Sequence, residues 1–112
     1  KQIIIFNENL IDWNKDIYLC EGPFDALFLD NSIPLLGKKM SDLLFETLYE
    51  KTKGKITIVL DGDAWEDAKR LYFKLSGGKL YGKIKVVKLP VDNDIADMRG
   101  VIPEDSYIEL ER

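Results

Sequence analysis

The stretch ITIVLDGDAWEDA, residues 56–68, decides the reading of this chain. Its first five residues, Ile56, Thr57, Ile58, Val59 and Leu60, are apolar or β-branched, the composition of a strand buried on both faces. The run stops on Asp61 and Asp63 with Gly62 between them. A helical pattern then begins, because Ala64, Ala68, Leu71 and Leu75 recur at steps of four, three and four along one face. Carboxylates are among the residues least suited to sit beside a core. Something at that strand end must favour negative charge.

The same pattern recurs on both sides. DIYLCEGPFDALFLDNS, residues 16–32, reads as a strand over 17–20, a Gly-Pro turn and a short helix with Pro23 at its first position, where a missing N–H costs nothing. SIPLLG, residues 32–37, is a short strand with a glycine stop, and Ser41 is placed to cap a helix over DLLFETLYEKT, residues 42–52. SGG at 76–78 ends the third helix, KIKVVKLP at 83–90 is the next strand, and DIADM at 94–98 predicts a last helical turn. QIIIF at 2–6 is also apolar and β-prone. Strands alternating with helices at this spacing predict an α/β fold, with a mainly parallel central sheet of about four strands flanked by helices. Ligands of such sheets bind beyond the carboxyl ends of the strands.

A chain of 112 residues with 46% hydrophobic content fits one domain. Because it begins at Lys1 rather than Met, it reads as a processed chain or a piece of something larger. Twenty acidic residues against 16 basic ones, net −4, argue against a module that holds nucleic acid by its phosphates alone. The absence of histidine removes Ser-His-Asp and Cys-His catalysis and HExxH metal sites. Cys20, the one cysteine, has no partner for an internal disulfide and reads as a small buried hydrophobe. No apolar run approaches the roughly 20 residues that span a bilayer, and nothing resembles a cleavable leader. The expectation is a soluble, cytoplasmic domain with no membrane partner.

The residues just after each strand carry the functional reading. Glu21 follows the first, Asp61 and Asp63 the third, and Asp92, Asp94 and Asp97 the last. If residues 61–63 are extended, Asp61 and Asp63 point the same way, about 6 to 7 Å apart at the backbone. Two carboxylates about 4 Å apart repel by about 4 kcal/mol at an effective dielectric of 20. A divalent cation removes that conflict, and a ligand set of oxygens without Cys or His selects Mg²⁺ or Mn²⁺.

Ordinary roles compete for most of these acids. Asp63 could cap the following helix, with Glu66 closing a capping box. Asp25 could offset the dipole of its short helix, Asp94 could cap the last turn, and Asp92 could be merely solvated. Glu21 has the weakest ordinary role. Lys38 and Lys39 share the carboxyl edge and read either as phosphate contacts or as a solvated loop. Lys51, Lys53 and Lys55 fall at the opposite edge and read as solvated. Trp65, Tyr72, Leu80 and Tyr81 read as packing residues.

Taken in order, CEGPFDAL, VLDGDAWEDA and LPVDNDIADM resemble the motifs of the Toprim domain of bacterial- and phage-type DNA primases, topoisomerases and some nucleases, over roughly residues 17–99. The resemblance implies a Rossmann-like Toprim fold. It implies catalytic roles for Glu21, Asp61 and Asp63, metal binding by Glu21, Asp61, Asp63 and Asp94, and supporting roles for Asp25, Asp97, Lys38 and Lys39. Trp65 and Glu66 stand where the family has a small residue and a glycine.

The implied activity is Mg²⁺-dependent nucleotidyl transfer, making RNA primers from nucleoside triphosphates on single-stranded DNA. The implied context is a longer primase, with zinc-binding and helicase-interacting domains that this chain lacks, and little activity for this piece alone. The alternatives are a Toprim nuclease or topoisomerase, or a Toprim module that only mediates interactions. An aspartyl phosphatase also places Asp-x-Asp after a strand, but after its first strand and before Thr or Val.

Overall fold

The computed structural model of the chain describes residues 8–36 and 40–110 and has the strand and helix alternation expected of them. Strand β1 (Ile17–Cys20) leads to the single-turn helix α1 (Pro23–Ala26), strand β2 (Ser32–Pro34) and helix α2 (Asp42–Lys51). Strand β3 (Ile56–Val59), helix α3 (Trp65–Leu75), strand β4 (Ile84–Val87) and the short strand β5 (Tyr107–Ile108) complete the order. Across the sheet the strands run β2-β1-β3-β4-β5. The first four are parallel, and β5 runs antiparallel to β4. Among the described residues the sheet thus has five strands, where the sequence predicts about four. The fifth is two residues long and only partly buried, too short for alternation to betray it.

Successive side chains of a strand face opposite sides, and the core divides accordingly. Ile17, Leu19, Ile56, Ile58, Leu60, Ile84 and Val86 share one cluster with Leu44 and Leu48 of α2 and Ala68, Leu71 and Leu75 of α3. Cys20, Val59 and Val87 share a smaller one with Leu29, Leu89 and Ile95, edged by Ala26 and Met98. Helices α2 and α3 therefore cover one face, and α1 with the segment after β4 covers the other. Cover on both faces explains why every residue of β3 is buried.

Ser41 caps α2 as expected, its Oγ accepting the Leu44 N–H at 3.1 Å. Four expectations change. The strand at 32–37 stops at Pro34 and the one at 83–90 spans only Ile84–Val87. Residues 94–98 form hydrogen-bonded turns instead of a helix, closed by Arg99 and Gly100 at φ 54° and 79°. Trp65, Tyr72 and Leu80 pack on the larger cluster, but Tyr81 is 70% exposed. The β-prone residues 2–6 and the lysines at 38 and 39 lie outside the described residues. Among the described residues no helix is long and apolar enough to cross a membrane.

Candidate metal centre

Strands β1 and β3 pair in parallel with Cys20 beside Val59, so Glu21 and Asp61 leave the sheet close together. The Asp61 N–H donates to Glu21 Oε1 at 3.3 Å. Gly22 and Pro23 turn the chain directly into α1, and Asp25 Oδ2 accepts the Gly22 N–H at 3.1 Å. The chain after β4 comes to the same place, because the Gly62 N–H donates to the Asn93 carbonyl at 2.8 Å. Carboxylate oxygens of Asp25, Asp61 and Asp94 consequently lie within 4.8 Å of one another. Three acids far apart in sequence form one cluster on the face covered by α1.

The hydrogen bonds show what each acid still offers. Asp94 Oδ1 accepts the Asp97 N–H at 2.7 Å, and Asp97 Oδ2 accepts the Asp94 N–H at 3.0 Å. Asp94 thus caps its turn with one oxygen. Asp25 is only 6% exposed; its Oδ1 is buried without a well-formed hydrogen bond among the described residues, the Ala96 N–H being the other donor that acts on this carboxyl besides that of Gly22. A buried carboxylate oxygen left unpaired is costly. A cation among the three acids offsets that cost.

Asp63 does not join the cluster. The extended geometry expected for residues 61–63 fails at Gly62, which begins a 3₁₀ turn over Gly62–Ala64, and Asp63 ends exposed. Nor does it cap α3, whose N-cap is Ala64 with no side-chain bond. The backbone of Pro90 and Val91 packs so closely against Gly62 that no side chain fits there. Asp63 and Asp97 instead line an adjoining groove of about 200 Å³ with Asp61, Asp92 and Asp94. Glu21 stays beside Asp61. The residue that sequence reasoning weighted too lightly is Asp25. Its signal was Pro23, which starts the helix so early that a carboxylate two residues on turns back to the strand end.

Burial pushes the Asp61 carboxyl up to about 7, helped by the charges of Glu21, Asp25 and Asp94 and by a hydrogen bond with Glu21. The Asp25 carboxyl is also raised, first by burial; the Gly22 and Ala96 N–H groups oppose this, and the charges of Asp94 and Asp97 add to it. Cys20 is 0% exposed, and burial with the charges of Asp25 and Asp61 pushes its thiol up to about 12. It is a small buried hydrophobe rather than a nucleophile.

These shifts carry a sign. A folded state that binds a proton more tightly than the unfolded chain is favoured at low pH and loses that advantage as pH rises through the folded pKa. For Asp61 the contribution is full below its ordinary 3.8 and is lost as pH passes about 7. In EDTA, melting temperature should therefore fall between pH 5 and pH 8 more steeply for the parent than for Asp61→Asn. Equal slopes in the two proteins would place the titrating group elsewhere.

A donor set of carboxylate oxygens alone, one of its residues buried, fits a hard divalent cation. No family model, no curated protein and no solved structure matches the chain. Function is accordingly argued from the site itself.

Proposed function

We propose that this chain is the metal-binding catalytic module of a Toprim-type DNA primase, acting in Mg²⁺- or Mn²⁺-dependent synthesis of RNA primers on single-stranded DNA. The observation that carries the reading is the convergence of Asp25, Asp61 and Asp94 from three strand ends, with carboxylate oxygens within 4.8 Å of one another and the Asp25 carboxyl buried. It stands in the same order as the three acidic motifs that resemble the family. A cation bound there would activate a 3′-hydroxyl and neutralise charge on a nucleoside triphosphate. Asp25, Asp61 and Asp94 would hold it, and Glu21, beside Asp61, is available to bind metal or to move a proton. Asp63 and Asp97 extend the acidic surface along the groove. The zinc-binding and helicase-interacting partners of a primase belong to this proposal.

The test is incorporation of a labelled ribonucleotide into short RNA on a single-stranded DNA template with Mn²⁺. The expected product is a faint ladder of primers, reduced about 100-fold or more by Asp61→Asn, as for loss of one preorganised charge-stabilising group. Metal-dependent cleavage of the DNA in place of synthesis would make the module a nuclease. Metal binding without either reaction would favour a Toprim module that mediates interactions only.

A further inference from the structure

The edge strand of this sheet stops short of the strand it covers. Strand β4 pairs with β3 through Ile84, Lys85 and Val86, but on its other side β5 meets only Val86 and Val87. The Ile56 N–H donates to the Lys83 carbonyl at 2.9 Å, so the odd-numbered residues of β4 turn their backbone groups to β3 and the even-numbered ones turn theirs outward. Among the outward ones, the Lys88 N–H donates to the Ser106 carbonyl at 2.9 Å, and Val86 lies opposite Ile108. Ile84 comes next in this alternation, and β5 has already ended. In the register of β5, Glu109 falls opposite Lys85 and Leu110 opposite Ile84.

The side chains beyond β5 suit a longer strand. Ile108 and Leu110 both pack on the larger core cluster, to which Ile84 and Val86 also belong. Lys85 and Glu109 are exposed and of opposite charge, and neither takes part in an ion pair among the described residues. Lys85 Nζ rests instead 5.7 Å from the centroid of the Tyr107 ring. The Leu110 carbonyl accepts the Tyr72 hydroxyl of α3 at 3.4 Å, in place of the Ile84 N–H. A groove of about 380 Å³ lies between, lined by Tyr72, Ile84, Lys85, Tyr107, Glu109 and Leu110 among others.

We propose that residues 109 and 110 are a strap that closes this groove by extending β5 along β4, with the Ile84 and Leu110 backbones exchanging both hydrogen bonds and Glu109 paired with Lys85. The Leu110 side chain faces the core in both states, so closure is a backbone shift and not a slip of register. An apolar pair on one face and an opposite-charge pair on the other are the contacts that stabilise antiparallel strands. With the strap open, the Ile84 N–H and C=O form a free edge, which invites a strand from another chain. With it closed, that edge is covered. The occupant is the chain's own continuation, because it carries the matching residues at the matching positions and its tether makes pairing intramolecular. The strap stands on strand pairing alone and does not rest on a cation or on the proposed activity.

The test is amide hydrogen exchange of the whole chain by NMR in EDTA, read at Ile84 and Leu110. Both amides should exchange more slowly than in an unstructured peptide. Glu109→Lys sets like charges opposite each other and should speed exchange at both by about fivefold, and Lys85→Glu/Glu109→Lys should restore the parent rates. Tyr72→Phe removes the competing donor to the Leu110 carbonyl and should slow exchange at Ile84. The Ile58 amide of β3 should keep its rate in every variant, which separates loss of the strap from loss of the fold. Exchange at Ile84 and Leu110 as fast as in an unstructured peptide, or unmoved by Glu109→Lys, would overturn the proposal. So would protection that appears only as protein concentration rises, because a second copy would then be covering the edge.

Discussion

Asp61→Asn abolishes stabilisation of the fold by divalent cations and leaves the metal-free protein at least as stable as the parent at pH 8. Both halves of this expected result come from one cluster. In the parent above pH 7 the Asp61 charge is held against burial and against Glu21, Asp25 and Asp94. Asparagine keeps the shape and removes the charge, so the empty cluster relaxes. With the charge gone, a hard cation loses one of three oxygen donors that lie within 4.8 Å of one another. For the parent, a cation at ten times its dissociation constant adds about 1.4 kcal/mol, or several degrees in a domain of this size. Thermal melts in EDTA and in rising Mn²⁺ or Mg²⁺ measure both effects. An equal rise in parent and variant would move the cation to the outer groove, where Asp63, Asp92 and Asp97 lie.

Among the described glycines, Gly62 is the one where a methyl group should be most damaging, as Gly62→Ala. A Cβ at this position would fall onto the Pro90 carbonyl oxygen and within 2.8 Å of Val91 Cα. Both obstacles are backbone, so no side-chain rotation relieves them. Moving the loop away breaks the bond from the Gly62 N–H to the Asn93 carbonyl, worth about 1 kcal/mol. Overpacking costs about 1–3 kcal/mol, occasionally more, against a total stability of about 5–15 kcal/mol. The expected fall in melting temperature is about 10 °C, at about 4 °C per kcal/mol. The cation response should weaken with it, because the same contact keeps Asp94 beside Asp61. A variant that melts within about 2 °C of the parent would show that the two loops are not held together through Gly62.

The parts of this structure visible in the sequence are those governed by local chemistry. Ile56 to Leu60 could only be a strand covered on both faces, and parallel pairing then carried Glu21, Asp61 and Asp94 to one edge. Which acids meet there was not local. Asp63 turns away in a 3₁₀ turn at Gly62, where the chain packs on the Pro90 and Val91 backbone, a contact between separate loops that no window of sequence contains. Asp25 turns inward because a proline-started helix of one turn folds back over the strand end. Tyr81, paired with Leu80, reads as a packing residue, yet it stands out in solvent between Gly78 and Gly82, both at positive φ.

The burial of Cys20 gives the molecule a built-in timekeeper. Its thiol is wholly covered on a central strand under α1, and the chain has no other cysteine. A thiol reagent therefore finds nothing to modify while the sheet is closed, and reacts only during excursions that lift α1 or part the strands. The pace of labelling counts those openings one molecule at a time. It reports on the wall of the acidic cluster without any probe added to it.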